Sequence, residues 1–262
     1  MEWAKAVICD IRFPLRVRPG LLLTYVLLMM GIILIGAPSN AWHGQCHKEI
    51  TGNTLDIIPK PLREALMQHV AKLMWGSEEP DFNRIDDHKI YLSTVASPTG
   101  TYMSGAHFAL ERFAKQAEAM IRAGKPMNEI AFVLGQATHF IEDLNVPLHT
   151  ISGETLEQHR GYESAAYFNW QVEKHYYPGF HLIKNYKCFA YETAKRSKKY
   201  VGLALLNPPP PHIMEITWID AINDVANLWQ SIFYRALGPE KAKELYGIPA
   251  PKGEIGEGWL CR

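Results

Sequence analysis

The 262-residue chain has no charge surplus, because its 27 lysines and arginines balance 27 aspartates and glutamates. A neutral composition sets up no long-range field for gathering a polyanion, so it gives no sign of nucleic-acid binding by bulk charge. Nor is there an arginine or lysine tract interleaved with aromatics of the kind that binds single strands through phosphates and stacked bases. No repeat of roughly 20–50 residues is visible, which removes solenoids and propellers. Alternating strand patterns are scarce. Cysteine is sparse too, with four in the chain. What is present is apolar: 47% hydrophobic against 21% charged residues supplies a packed core and excludes disorder over most of the length. At this size a single domain is the default expectation.

The first forty residues carry Lys5, Arg12, Arg16 and Arg18 and then an apolar run from Leu21 to Ile35. The run is fifteen residues, short of the roughly 20 that a helix needs to cross a bilayer. Ser39-Asn40-Ala41 follows, with small residues at both cleavage-defining positions. The expectation is a signal segment over residues 1–41, cut between Ala41 and Trp42, with a secreted or periplasmic product. The alternative is a membrane anchor formed by uncleaved residues 21–35. Cleavage removes Cys9 and leaves Cys46, Cys188 and Cys261 in an oxidising compartment, where one disulfide with a spare is expected.

Helical periodicity dominates the remainder. It predicts helices over 61–75, 102–123, 127–144, 155–176, 188–206 and 212–237. Gly124-Lys125-Pro126 stops the second of these, since glycine permits a left-handed cap and proline cannot continue the helix. The helix over 127–144 is apolar nearly all round, as a segment buried inside a domain would be. Residues 76–101 read as a long loop, Pro208 to Pro211 as a stiff connector, and residues from 248 onward as a surface tail. The reading is an all-α, single multi-helix domain over 42–247, with 1–41 before it and 248–262 after it.

The buried helix holds an anomaly. His139 and Asp143 are four apart, hence on one face of an otherwise apolar segment. Burying an imidazole and a carboxylate is costly unless they are paired or bind a cation, and this spacing suits zinc. A simple His–Asp hydrogen bond in the core is the plainer explanation for one such pair. Pro147 then breaks the helix, His149 follows, and His159 and Glu163 repeat the four-residue spacing. Five ligand-type residues so close together favour a metal cluster over five separately satisfied core groups.

The run Leu134-Gly135-Gln136-Ala137-Thr138-His139-Phe140-Ile141-Glu142-Asp143-Leu144-Asn145-Val146-Pro147-Leu148-His149 resembles the bacterial zinc-dependent phospholipases C and, more distantly, the fungal single-strand-specific zinc nucleases that share their fold. The resemblance implies a site for three zinc ions. His139 and Asp143 would serve a close pair, bridged by Asp143, while His149, His159 and Glu163 would hold the third ion. Family chains begin at a tryptophan whose terminal amine and carbonyl chelate zinc, and Trp42 stands where the expected cut would expose it. His47 would be its partner, with His43 the competitor. The loop ligands carry over to Asp81, in Pro80-Asp81-Phe82, and to His88, with His107 the alternative. Asp81 and His88 are only seven apart, closer than the family spacing, which leaves Asp81 open against Asp86 or Asp87. Asp81 would also orient or deprotonate the attacking water. The other histidines, His69, His175, His181 and His212, read as surface or ordinary core groups. For Cys46, beside His47, a disulfide is expected rather than zinc.

The implied activity is phosphodiester hydrolysis with zinc-activated water as nucleophile, and the implied partner is phospholipid at a membrane surface. Glu163 and its spacing look like the phospholipases, whereas the short step from Trp42 to His47 looks like the nucleases. A single-strand nuclease or nucleotidase is therefore the alternative, with a non-catalytic helical protein that uses zinc only to fix its fold a third reading. No protein partner is indicated.

Overall fold

A computed structural model of the chain describes residues 44–83, 88–92, 105–169 and 177–257, all within the unit Ser39–Arg262. The expected signal segment and its cleavage site lie outside the described residues. In chain order the helices are α1 (Gly44–Ile57), α2 (Lys60–Met67), α3 (Val70–Asn83), α4 (Ala106–Arg122), α5 (Met127–Leu144), α6 (Leu156–Asn169), α7 (Tyr186–Ser197), α8 (Val201–Ala204), α9 (Pro211–Leu237) and α10 (Pro239–Tyr246). A 3₁₀ turn spans Pro147–Thr150. Two three-residue strands, β1 (His181–Ile183) and β2 (Gly253–Ile255), pair in parallel with Leu182 opposite Glu254. The fold class is therefore helical, as the periodicity predicts. Among the described residues no helix is long and apolar enough to cross a membrane.

Helix α5 is the axis of the core: every residue from Val133 to Leu144 is buried. It starts after Pro126, where the missing N–H costs nothing because a first-turn donor has no helical partner anyway. On one side α5 meets α3 backbone to backbone. A Cβ on Gly76 would lie 2.2 Å from the Phe132 carbonyl oxygen, and one on Gly135 would lie 2.2 Å from that of Leu73. Only glycine at both positions permits this approach. On another side lies α9, whose buried Trp229 donates its indole N–H to Thr138 Oγ1 at 2.7 Å. At 27 residues, α9 runs for about 40 Å, with Trp218, Ile222, Val225, Trp229, Ile232 and Phe233 all buried.

Several expectations change. The helix expected over 61–75 is two, α2 and α3, broken at Gln68 and His69, and that over 188–206 is α7 and α8 with a 3₁₀ turn at Lys198–Tyr200 between them. Residues 76–83 are not loop but the second half of α3. Gly76 and Pro80 mimic turn residues, yet Gly76 serves the helix crossing and Pro80 lies inside the helix, where it removes one backbone hydrogen bond without ending it. Pro211 opens α9 instead of belonging to the connector. The tail is more than a surface strap: Ile248 is fully buried and β2 joins it to β1.

Candidate metal centre

Four structural devices bring the polar residues together. Helix α1 carries His47 inward on the face that also buries Cys46, Ile50 and Thr51. The last turns of α3 deliver Asp81, at a place set by the Gly76–Gly135 crossing. The short segment around His88 is held by backbone bonds from Ile90 N–H to His149 C=O and from Leu92 N–H to Thr150 C=O. The turn after α5 is locked by Asn145, which donates to Asp224 Oδ2 at 3.0 Å and accepts from Arg196 at 2.9 Å. That anchor fixes where Pro147–Thr150 presents His149.

The donors form three groups, within each of which the ligand atoms lie within 4.8 Å of one another: His47, His139 and Asp143; Asp81, His88 and His139; His149, His159 and Glu163. Asp143 joins the first two, with its two oxygens facing different neighbours. Oδ1 is 3.6 Å from His47 Nε2, while Oδ2 is 2.9 Å from His88 Nδ1 and 3.2 Å from His139 Nε2. Asp81 closes the same space, with Oδ2 3.8 Å from His47 Nε2 and Oδ1 3.5 Å from His88 Nδ1. In the third group His149 Nε2 and His159 Nε2 are 3.1 Å apart, and Glu163 Oε1 lies 2.7 Å from His159 Nε2.

Hydrogen bonds behind the rings say which nitrogen faces inward. His139 Nδ1 meets the Ser77 carbonyl at 2.7 Å and His149 Nδ1 meets the His88 carbonyl at 3.1 Å. Only an N–H can bond a carbonyl oxygen, so each Nδ1 carries a proton and each Nε2 is the atom turned into the cluster. His47 Nδ1 is 2.6 Å from Glu142 Oε2, and His159 Nδ1 is 3.5 Å from Glu154 Oε1, a carboxylate also paired with Lys89.

Electrostatics agree with a site built for positive charge. Burial opposes ionisation of Asp143, yet the imidazoles around it, His139 foremost, hold it well below the usual carboxylate range. Burial also disfavours a charged His139, but Asp143 and Asp81 outweigh that and lift it to about 9. Burial holds His47 and His149 well below the ordinary histidine value, so both are neutral and able to donate a lone pair. Burial pushes Glu163 up to about 7, against its bond to His159. His159 itself is raised to about 9, since Glu154 and Glu163 overcome burial.

These residues fit zinc on a direct observation. His47 Nε2 and Asp143 Oδ1 are buried, face each other at 3.6 Å, and neither has a hydrogen-bond partner. Two ligands on one tetrahedral ion, each at about 2.0–2.1 Å, are separated by roughly 3.3 Å. The gap is too long for a hydrogen bond and close to what a shared cation needs.

Of the residues expected from sequence, His47, Asp81, His88, His139, Asp143, His149, His159 and Glu163 thus converge. Trp42, His43, Asp86 and Asp87 lie outside the described residues. The alternative His107 sits on α4 against Phe108 and Tyr191, apart from the three groups. Cys46 is a free, buried thiol, contrary to the expected disulfide, while Cys188 is disulfide-bonded. The sequence reading also missed Glu142. It lies three residues after His139 and beside Asp143, a third ionisable group on the buried stretch of the helix, and that position was the available signal.

Residues 46–205 match the zinc dependent phospholipase C family. The chain belongs to this family. Among solved structures it is similar to the alpha toxin of Clostridium absonum, at 17% identity and a TM-score of 0.54, over 76% of this chain and 64% of that one. It is likewise similar to the Clostridium perfringens alpha-toxin of an avian strain, at 17% identity and a TM-score of 0.52, over 81% of this chain and 65% of that one. The likeness is one of fold, and the chain spans a little under two thirds of the length of each toxin. No curated protein sequence matches.

Proposed function

We propose that this chain is a zinc-dependent phosphodiester hydrolase acting on phospholipids, cleaving the bond on the glycerol side to give diacylglycerol and a phosphorylated head group. The observation that carries the proposal is the convergence of three donor groups around Asp143 and His149, with Asp143 facing two of them.

In this reading His47, Asp81, His88, His139 and Asp143 would hold a close pair of ions, with Trp42 completing the His47 side, and His149, His159 and Glu163 would hold a third. Bound zinc supplies Lewis acidity and lowers the pKa of a coordinated water from about 15.7 to about 7. The chain's own groups supply position. The Ser77 and His88 carbonyls fix the rings of His139 and His149, so the inward nitrogens need no reorganisation during the reaction. Asp81 Oδ2 faces the same space and would accept the proton of the attacking water as its oxygen bonds phosphorus and the phosphorus–oxygen bond to the glycerol breaks in line, the proton then passing to the departing glycerol oxygen to give diacylglycerol. Catalytic zinc sites keep an open position, unlike structural ones, and among the described residues the third group has three donors, not the four of a closed site. That favours an enzyme over a protein that uses zinc only for its fold.

A neutral composition and the glutamate at position 163 support lipid over nucleic acid. We further propose cleavage after Ala41 and export of the product. The test is a panel assay of the chain starting at Trp42, zinc-loaded, on phospholipids of several head groups and on single-stranded DNA. Turnover of lipid alone is expected. Turnover of DNA alone would replace this reading with the nuclease one, and zinc uptake without any turnover would replace it with a structural role. A chain retaining Ala41 should carry less zinc and turn over far more slowly, because an extended terminus cannot offer the same chelate.

A further inference from the structure

Glu142 is the most deeply buried carboxylate that the mechanism leaves without a task. It is inaccessible to solvent on the core helix α5, and it does not appear among the grouped donors. Its Oε2 is 2.6 Å from His47 Nδ1 and its Oε1 accepts from Thr51 Oγ1 at 3.3 Å. A buried carboxylate is costly and needs a strong local reason to be there. The geometry offers one: the next residue, Asp143, faces the opposite ring nitrogen of the same histidine. Two neighbouring carboxylates on one helix thus bracket a single imidazole that comes from a different helix.

We infer that Glu142 is a positioning residue for the paired metal site: by accepting the Nδ1–H of His47 it sets the tautomer and turns the Nε2 lone pair toward Asp143. The inference rests on the functional reading above. Of the four rings that present Nε2 to the cluster, His139 and His149 are fixed by backbone carbonyls, which a side-chain substitution cannot remove. His47 depends on a side chain, with Thr51 steadying that side chain in turn. Its orientation is therefore open to mutation without touching a ligand. An acceptor oxygen behind the ring also holds the imidazole in the tautomer that can donate to a cation, and loss of such a partner costs about 10–100-fold in metal affinity.

The test uses the chain starting at Trp42, zinc-loaded, with E142Q and E142L. Gln keeps the shape but replaces one carboxyl oxygen by an amide that cannot accept, whereas Leu removes the hydrogen-bonding group altogether. Zinc release to a chromogenic chelator should show part of the bound metal leaving about tenfold more readily in E142Q and up to about a hundredfold more readily in E142L, with the third group's ion unaffected. A second readout needs no variant to fold. In the zinc-loaded wild type, nitrogen-15 NMR should show His47 protonated at Nδ1, with a strongly downfield, slowly exchanging proton. Release curves superimposable on wild type, or a His47 ring protonated at Nε2, would overturn the inference alone. A wild-type chain that takes up no zinc would overturn the functional reading and this inference with it.

Discussion

The paired site and the third site are made in different ways. His47, Asp81, His88, His139 and Asp143 come from three helices and an extended segment, and they meet only because α3 and α5 touch at Gly76 and Gly135. His149, His159 and Glu163 come from one turn and the next helix, fifteen residues from end to end. The first site is a product of tertiary packing, and its ligands are positioned to the extent that the core is. The second is a local constellation that stays together as long as the turn after α5 stays anchored through Asn145. Damage to the core should therefore empty the pair first, and damage to a local ligand should empty only the third position.

The most severe break in this contrast is expected from Asp143→Asn, because both of its oxygens face donors of the pair. Losing several kcal/mol of electrostatic stabilisation predicts a fall in kcat on the order of a thousandfold. Metal analysis should show the paired ions lost and the third retained. Gly135→Ala comes next and tests packing without altering a ligand. A methyl aimed at the Leu73 carbonyl must force α3 and α5 apart, at a cost of about 1–3 kcal/mol. The melting temperature should drop by roughly 3–12 °C, with weaker zinc at the pair and little change at the third position.

Glu163→Gln should spare the pair and remove the third ion, with a smaller loss of rate than Asp143→Asn, read by zinc content and kcat together. Acidification separates the two regions most gently. Before zinc binds, Glu163 is raised to about 7 and His159 to about 9. Both are thus protonated below pH 7 and must give up a proton to ligate. Third-site affinity should fall as pH drops below 7, with more protons released per zinc there than at the Asp143–His47 face. On that face Asp143 is already ionised and His47 already neutral, so that His139, raised to about 9, is the group with a proton to give up, against two groups at the third position. Calorimetry in buffers of different ionisation enthalpy would measure this, and equal proton release at both positions would contradict it.

Much of this was legible in the sequence because the chemistry lies close together along the chain. The His139–Asp143 and His159–Glu163 pairs sit four apart on helices, and Pro147 marks the turn that delivers His149. The extent of α3 was not legible, since Gly76 and Pro80 carry the same residue types as a turn and only the partner helix reveals that Gly76 is there for contact. Glu142 was hidden for the opposite reason: its importance depends on His47, 95 positions earlier. The backbone carbonyls of Ser77 and His88 leave no mark in the residue types, since any amino acid supplies one.

Crystals of the zinc-loaded chain, measured on either side of the zinc absorption edge, test the central claim most directly. Three anomalous peaks are expected, two of them flanking Asp143 within reach of His47 and of His88 with His139, and one enclosed by His149, His159 and Glu163. A fully loaded crystal with no peak beside Asp143, or with those imidazoles turned away from one another, would contradict it.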